Sequence, residues 1–410
     1  MPDPNLTLTV KRTLPDDADK AVLAGRVWRP DLEGPSVVTI RGDDVVDIIA
    51  DFPTMTELCE APDPASAAKA AKGEAFVSLD ALLANSVSVS VSRDPRQPWL
   101  LTPIDLQAIK AAGVTFAVSM LERVIEEKAR GNPAAAASIR AEIVGLVGDD
   151  FAKLKPGSPE AMRLKQVLIE QGSWSQYLEV GIGPDAEIFT KAQPLSAVGT
   201  GADAGLHPSS SWNNPEPEVV LVVASDGRIV GATLGNDVNL RDVEGRSALL
   251  LSKAKDNTAS CAIGPFIRFF DGSFSLDDVR RMTINLTVEG ADHYRLVGSS
   301  SIARISRDPA DLVAQMIGPH HQYPDGAVLF LGTLFAPIED RKHPGGGFTH
   351  DIGDVVTISA PQLGSLVNTM KRTDQCERWT FGVSDLMRNL AARGVLGGQA
   401  KRENSRTMRS

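Results

Sequence analysis

Two almost continuous apolar runs constrain this 410-residue chain more than any other feature of its sequence. They cover residues 219–224 and 327–335, and each is followed by residues that favour turns or loops. Short apolar runs of this kind, without alternating polar residues, are typical of strands that are buried on both faces. A strand can be buried on both faces only inside a larger assembly of elements. We therefore predict that the chain folds around a large, covered β-sheet.

The remainder of the second half extends this prediction. From about residue 187 the chain reads as short strands separated by glycine, aspartate, asparagine and proline turns. Helical patterns interrupt the strands at residues 308–317 and 384–393. The predicted fold class is therefore α+β with mostly β structure, built around a largely antiparallel sheet.

The first half of the chain shows different sequence patterns. Residues 1–20 are polar and predict a flexible arm, and residues 21–98 predict a small N-terminal domain with a hairpin turn at residues 42–44. Residues 99–397 are expected to form the main domain, with helical patterns over 103–147 and 158–171. Residues 398–410 are polar and basic and predict a disordered tail.

Charge and composition exclude several classes of protein. Lysine and arginine number 42 against 52 aspartates and glutamates, a net charge of −10, so neither nucleic acid nor an anionic membrane is an expected partner. No apolar stretch reaches about 18 residues, so no membrane span is predicted. Cys59, Cys261 and Cys376 form no C-x-x-C pair, and the N-terminus carries no signal-peptide core, so we expect a cytoplasmic protein that acts on small molecules.

Three carboxylates are the strongest candidates for chemistry. Glu216 and Glu218 open a predicted strand, where residues i and i+2 point to the same face. Asp237 follows the next strand, which could return beside the first as a hairpin. Paired carboxylates repel unless a cation lies between them, and an all-oxygen site suits Mg²⁺ or Mn²⁺. The alternative, which spacing alone leaves open, is that the glutamates lie on an exposed strand edge and Asp237 caps a turn.

Other candidates have strong structural alternatives. Ser119 and Glu122 match the S-x-x-E capping box that begins many helices. Lys191 and Lys255 are single lysines, which are most often solvated, and the hydroxyl of Thr333 at a strand end is most often a partner of the backbone. The histidines show no spacing typical of a metal site, and no phosphate-binding glycine loop or nucleophile elbow occurs.

Taken in order, these pieces resemble the fumarylacetoacetate hydrolase family over about residues 110–395. The shared pieces are a lysine after a strand (Lys191), E-x-E (Glu216 and Glu218), N-D-x-x-x-R-D (residues 236–242), a lysine six residues before C-x-x-G-P (Lys255, residues 261–265), G-T (residues 332–333) and G-D-x-V (residues 353–356).

The resemblance carries expectations for fold, cofactor and site. It implies a β-roll body, a homodimer or homotetramer, and Mg²⁺, or alternatively Mn²⁺, held by the three carboxylates. The residues implied to act on substrate are Lys191, Lys255 and Glu122 in catalysis, and Ser119, Thr333 and Arg241 in binding substrate oxygens.

One departure from the family pattern narrows the choice among the reactions that the family catalyses. Hydrolases of the family carry a histidine where this chain has Ser119, and a neutral serine is a poor base for activating water. The segments at residues 113–131, 173–191 and 210–223 resemble the branch that dehydrates 2-keto-3-deoxy-D-xylonate (2-dehydro-3-deoxy-D-arabinonate) to 2,5-dioxopentanoate in oxidative pentose catabolism. That resemblance implies a hydro-lyase, and which lysine is base or acid is left open. The alternatives are an acylpyruvate hydrolase or oxaloacetate decarboxylase of the same family, and a non-catalytic binder of a metabolite.

Overall fold

The computed structural model describes residues 6–88, 92–130, 132, 135, 154–170, 172, 174–333, 337, 339–342 and 347–396. Strands dominate this part of the chain, with helices around them, which confirms the predicted α+β class. No helix among the described residues is both long and apolar enough to cross a membrane.

The strands lie mostly in the second half of the chain, as predicted. They are β1 Leu23–Arg29, β2 Gly34–Arg41, β3 Asp44–Asp47, β4 Glu74–Ser78, β5 Trp99–Leu100, β6 Ala108–Gly113, β7 Glu187–Ala192, β8 Asp203–Leu206, β9 Asn213–Asn214, β10 Pro217–Val223, β11 Ile229–Asp237, β12 Asn239–Leu240, β13 Cys261–Phe269, β14 Thr283–Glu289, β15 Arg295–Ser301, β16 Ala327–Phe330, β17 Val355–Ala360 and β18 Gly364–Arg372.

The helices are four to twelve residues long, and most of them lie between strands. They are α1 Val10–Thr13, α2 Met55–Cys59, α3 Pro64–Ala70, α4 Leu79–Asn85, α5 Ala117–Lys128, α6 Pro159–Glu170, α7 Gln176–Ile182, α8 Arg241–Glu244, α9 Leu251–Lys255, α10 Leu276–Arg281, α11 Pro309–Met316 and α12 Val383–Ala392. The last two confirm the helices predicted near residues 308–317 and 384–393, and α6 confirms the one predicted over 158–171.

Three sheets organise the described residues. The largest has the strand order β4-β3-β2-β1-β13-β11-β10-β16-β6-β7, with β5 paired to β1. A second sheet has the order β15-β14-β17-β18-β8, and β9 pairs with β12 in a short ladder of its own. The pairings are antiparallel except for β16 with β6 and β18 with β8. The predicted antiparallel character is thus confirmed for most of the described pairs.

The central strand β10 is buried on both faces, as its apolar run predicted. Val219, Leu221 and Val223 pack into one hydrophobic core, which also contains side chains of β14 and β17. Val220 and Val222 point the other way, into a core shared with helices α2 and α3. The period of two along a strand produces this division, and each face of the sheet receives its own apolar layer.

The prediction of helix over residues 103–147 is wrong for the first part of that range. Residues Ala108–Gly113 form β6, which lies between β16 and β7. A short apolar segment does not reveal by its pattern whether it is strand or helix, and here two neighbouring strands supply the hydrogen bonds that fix it as a strand. Helix begins only at Ala117. Most of the residues beyond 130 in this prediction lie outside the described part of the chain.

The N-terminal segment also differs from expectation. Residues 6–20 do not form a loose arm, because Leu6, Leu8 and Leu14 are buried and Asp17 forms an ion pair with Arg268 at 2.6 Å. Strands β1–β4 belong to the same sheet as β10 and β11, so the sheet is continuous across the boundary proposed at residue 98. The division at residue 98 remains a prediction, and the predicted tail, residues 398–410, lies outside the described residues.

Candidate metal centre

The candidate site lies where β10 and β11 continue beyond the apolar core. Strands β10 and β11 pair antiparallel, as predicted, and β9 and β12 pair just past their ends. Glu218 pairs with Gly235, and four residues farther along each strand Asn214 pairs with Asn239. The offset between the two strands is the same in both ladders, so the ladders share one register. Between the two ladders, the Asp237 amide donates to the Glu216 carbonyl at 3.1 Å, and this hydrogen bond makes the ladder continuous.

This register brings the three predicted carboxylates together. Glu216 and Glu218 lie on the face of β10 that carries Val220, and Asp237 lies opposite Glu216 on the neighbouring strand. Each is at most 2% exposed, and one oxygen of each lies within 4.8 Å of one oxygen of the others. The structure therefore excludes the alternative of an exposed strand edge.

The donor set fits a hard divalent cation. Three carboxylates supply oxygens only, which are the ligands that Mg²⁺ accepts, usually together with water or substrate oxygens. The three buried carboxylates each place an oxygen within 4.8 Å of the others, where like charges repel. A cation bound between them would offset that repulsion. Glu216, Glu218 and Asp237 would hold the ion.

Lys255 connects two of these carboxylates. Its buried ammonium lies at the end of α9 and donates to Glu216 Oε2 at 2.5 Å and to Asp237 Oδ2 at 3.0 Å. Burial disfavours its charge, but the attraction of Asp237 and Glu216 prevails, and the pKa of Lys255 is raised above its ordinary value. Lys255 is therefore a fully charged partner of the carboxylates, and the interpretation as a solvated lysine is wrong.

Lys191 approaches the same site from β7 and is completely buried. Its ammonium forms an ion pair with Asp237 Oδ1 at 2.8 Å. It also donates to the carbonyls of Val238 and Lys255 and to the hydroxyl of Ser260. Lys191 thus holds the segment that carries Lys255 in place and contributes positive charge beside Asp237.

The two glutamates have opposite electrostatic environments. Burial opposes ionisation of Glu216, but the neighbouring cations Lys255 and Arg123 lower its pKa to about 2. Burial, together with the charges of Asp237 and Glu216, raises the pKa of Glu218 well above its ordinary value. The protein therefore supplies enough positive charge for two of the three carboxylates, and the third would be compensated by a bound cation.

Thr333, which the resemblance implied as a residue that binds substrate oxygens, contacts Glu218. Its hydroxyl donates to Glu218 Oε1 at 3.3 Å, and the amide of Gly332 donates to Glu218 Oε2 at 2.7 Å. These bonds fix the carboxylate orientation. Gly332 has φ of 97°, and a Cβ there would lie 1.9 Å from the hydroxyl of Thr115, so glycine is required for this turn.

The helix with Ser119 and Glu122 begins earlier than a capping box would place it. Helix α5 starts at Ala117 with Phe116 at the N-cap position, so Ser119 lies inside the helix and is not its cap. Glu122 is buried and accepts from Arg241 at 3.3 Å, while Arg241 also donates to the carbonyl of Pro337 and stacks over Trp212. The side chain of Ser119 lies outside the described part of the structure.

Arg123 and Glu244 also belong to the candidate site, but the sequence motifs did not predict them. The Arg123 guanidinium forms ion pairs with Glu216 and, at 2.9 Å, with Glu244. Arg123 follows directly after Glu122 on α5, and Glu244 ends α8, two residues beyond the N-D-x-x-x-R-D motif. Their neighbours were recognised, but nothing in the spacing revealed that α5 returns to β10.

A third missed residue is Glu187, the first residue of β7. It lies on the same face of this strand as Phe189, whose ring lies 5.8 Å from the Lys255 ammonium. Glu187 packs against Gly113, where a Cβ would come within 1.9 Å of its carboxylate. Burial and the nearby charge of Glu244 raise the pKa of Glu187 to about 7. Its only sequence signal was its position four residues before Lys191.

Part of the chain matches a known family model. Residues 170–371, which contain β10, β11 and all three carboxylates, match the model of the fumarylacetoacetate (FAA) hydrolase C-terminal domain. This match agrees with the resemblance drawn from the motifs, and it covers 170–371 of the 410 residues.

Two curated relatives are named as dehydratases. The chain is 32% identical over 189 residues to the 2-dehydro-3-deoxy-D-arabinonate dehydratase of Saccharolobus solfataricus, over 45% of this chain and 59% of the relative. It is 30% identical over 194 residues to the probable 2-keto-3-deoxyxylonate dehydratase of Haloferax volcanii, over 47% of this chain and 63% of the relative. The chain thus spans about three fifths of the length of these relatives.

Solved structures confirm the fold. A 2-keto-3-deoxyarabinonate dehydratase in a hexagonal crystal form superposes with a TM-score of 0.60 at 19% identity, over 86% of this chain and 99% of the other. The 2-keto-3-deoxy-D-arabinonate dehydratase complexed with magnesium and 2,5-dioxopentanoate superposes with a TM-score of 0.57 at the same identity, over the same two fractions. These similarities establish the fumarylacetoacetate hydrolase-like fold.

Proposed function

We propose that this protein is a Mg²⁺-dependent hydro-lyase that dehydrates 2-keto-3-deoxy-D-xylonate (2-dehydro-3-deoxy-D-arabinonate) to 2,5-dioxopentanoate in oxidative pentose catabolism. The observation that carries the proposal is the buried set of Glu216, Glu218 and Asp237 beside Lys255. This set lies within a family domain whose two curated relatives are named as dehydratases of this substrate class.

The reaction removes one proton from C3 and the hydroxyl from C4, and a later proton shift from C5 yields the aldehyde. A bound divalent cation would polarise the carboxylate and 2-keto oxygens of the substrate and so make the C3 proton more acidic. The chain itself must then supply a base for the C3 proton and an acid for the departing hydroxyl. Each such proton transfer contributes roughly 10²–10⁴-fold to the rate.

Lys255 is the proposed proton-transfer group closest to the carboxylates. Its ammonium is held by Glu216 and Asp237, in the position where a substrate bound to the same carboxylate set would meet it. Lys191 donates to the backbone carbonyl of Lys255, and its ammonium also lies beside the carboxylate of Asp237. We therefore assign Lys191 to positioning Lys255 and Asp237, and Lys255 to the proton transfer itself.

Glu187 and Glu122 are proposed for the remaining proton transfers. An acid whose pKa is near 7 can both donate and accept a proton at neutral pH, and burial gives Glu187 that property. Glu122 would serve the departing C4 hydroxyl, with Arg241 holding its carboxylate in place. Ser119 would bind a substrate oxygen, while Thr333 and Arg241 act through Glu218 and Glu122.

We further propose a cytoplasmic homodimer or homotetramer. Closed two-fold symmetry is the commonest arrangement of soluble homo-oligomers. Val297 and Ile352 are large apolar side chains exposed on the described surface, and a partner subunit could cover such positions.

A coupled assay tests the proposed reaction. The purified chain with Mg²⁺ is given 2-keto-3-deoxy-D-xylonate, and a 2-oxoglutarate semialdehyde dehydrogenase with NAD⁺ reports the product as NADH. We expect turnover that stops on addition of EDTA and returns with excess Mg²⁺. Faster turnover of an acylpyruvate or of oxaloacetate, measured side by side, would replace this proposal with the hydrolase or decarboxylase alternative.

A further inference from the structure

Two asparagines continue the face that carries the metal ligands. Along β10 and β9 this face presents Val220, Glu218, Glu216 and then Asn214, because the ladder keeps one register. On the neighbouring strand Asn239 lies opposite Asn214, just as Asp237 lies opposite Glu216. The surface thus changes in steps along one direction, from apolar to carboxylate to amide.

These two amides are buried without complete hydrogen bonding. Both residues are 0% exposed. Asn239 has no partner for either Oδ1 or Nδ2, and Asn214 has none for Oδ1, its Nδ2 donating to the carbonyl of Pro215 at 2.9 Å. Buried polar side-chain atoms usually have a partner, so a pair of amides with three unpaired atoms requires an explanation.

The neighbouring asparagine shows that the fold can satisfy such a group at this place. Asn213 lies beside Asn214 and points to the opposite face of β9. Its Oδ1 accepts from the amide of His350 at 3.2 Å, and its Nδ2 donates to the hydroxyl of Ser210. Within the β9–β12 ladder, the amide on the opposite face is thus paired through both its oxygen and its nitrogen, whereas Asn214 and Asn239 on the carboxylate face are not. On β11, Asn236 also has an unpaired Nδ2, but its Oδ1 accepts from the amide of Glu216.

From these observations we infer that Asn214 and Asn239 bind the hydroxyl groups of the substrate and so select a polyol acid over other 2-keto acids. The inference rests on the proposed function. An amide both donates and accepts, which is what a hydroxyl requires. Positions i and i+2 of a strand, such as Asn214 and Glu216, lie about 7 Å apart. This distance is comparable with the length of an extended five-carbon acid whose keto-acid end is held at the carboxylates.

This arrangement explains selectivity as well as affinity. A site that is built to bond a hydroxyl rejects an analogue without it, because the buried amides are then left unpaired. Acylpyruvates and oxaloacetate share the keto-acid end but carry no hydroxyl at this distance. The pair would therefore act against the family's other substrate classes.

The test compares Asn239→Leu and Asn214→Ala with the wild type, all loaded with Mg²⁺. Two probes are used: 2-keto-3-deoxy-D-xylonate, and pyruvate, which has the keto-acid end and no hydroxyl. We expect each variant to raise KM for the deoxy sugar acid about tenfold and to leave the inhibition constant of pyruvate unchanged. Thermal unfolding without ligand gives a second readout. Asn239→Leu should unfold at an equal or higher temperature, because it removes unpaired buried atoms, but should lose most of the thermal shift caused by the sugar acid.

Asn213→Ala is the matched control, because that amide is fully used within the fold. It should lower the unfolding temperature without changing the ratio of the two probes. Equal weakening of both probes by Asn239→Leu, or a lower unfolding temperature with an unchanged KM, would mean that the amides are structural and would overturn the inference. If the wild type turns over no deoxy sugar acid at all, the proposed function fails and this inference fails with it.

Discussion

Glu216 and Asp237 lie opposite each other on neighbouring strands, and the single ammonium of Lys255 contacts both carboxylates, at 2.5 and 3.0 Å. Such a buried cluster is stable only while its charges are balanced. Glu218 lies beside the pair without a cation of its own, and its raised pKa is the consequence. The predictions below follow from this imbalance and from the groups around it.

Removing one metal ligand should abolish activity and leave the fold intact. Glu216→Gln, Glu218→Gln and Asp237→Asn keep the side-chain shape but remove a negative charge that the cation requires. We expect turnover to fall by orders of magnitude and Mg²⁺ binding, measured by isothermal titration calorimetry, to weaken or disappear. Asp226→Asn, in the exposed turn between β10 and β11, is the control. Full turnover by metal-free wild type would contradict the assignment.

Removing the charge of Lys255 should make stability depend on the metal. In Lys255→Met the carboxylates of Glu216 and Asp237 lose their buried partner, a change that typically costs about 3–5 kcal/mol of unfolding free energy. Millimolar Mg²⁺ should restore much of this, because the ion supplies the missing positive charge. Chemical denaturation with and without Mg²⁺ measures both effects, with exposed Lys253→Met as the control. A metal-independent loss would argue against a shared charge site.

Glu187 should make stability fall as the pH rises. Its pKa is raised from 4.5 to about 7 in the folded protein, so folding favours its protonated form. Its contribution is fully present below about pH 4.5 and is lost as the pH rises through about 7. Relative to wild type, Glu187→Gln should therefore gain on the order of 2 kcal/mol between about pH 5 and pH 8. Denaturation curves at both values test this, with exposed Glu170→Gln as the control, and a constant difference would refute it.

Ser119→Ala should affect the reaction more than the fold. Because α5 begins at Ala117, no N-cap is lost, and unfolding free energy should change by less than about 0.5 kcal/mol. If Ser119 binds a substrate oxygen, KM for the deoxy sugar acid should rise several-fold. The two measurements together separate a binding role from a structural one, since a destabilised variant with unchanged KM would exclude substrate contact.

The oligomeric state is open to direct measurement. We expect sedimentation velocity at micromolar concentration to give a species at least twice the 43.7 kDa of one chain. The expectation rests on the family resemblance and on the commonness of two-fold symmetry. A single monomeric boundary over the whole concentration range would be inconsistent with it.

The elements that sequence patterns predicted correctly are those whose pattern is set by local chemistry. The strand β10 is an uninterrupted apolar run, and α6, α11 and α12 carry helix-starting residues such as Asp308, which caps α11. Residues 108–113 were misread because six residues show too little periodicity to distinguish strand from helix. Residues 6–20 were misread because their few leucines, buried against β1 and α4, are separated by polar residues.

The sequence by itself indicated the three candidate metal ligands and the family resemblance, because the residue types and their order along the chain are local information. Only the tertiary structure decided how those residues are paired. Arg123 reaches Glu216 across 93 positions of the chain, and Lys191 meets the carbonyl of Lys255 across 64. The near-neutral pKa of Glu187 and the unpaired amides of Asn214 and Asn239 likewise arise from burial. Burial depends on which strands become neighbours, and that is settled by packing of the whole sheet.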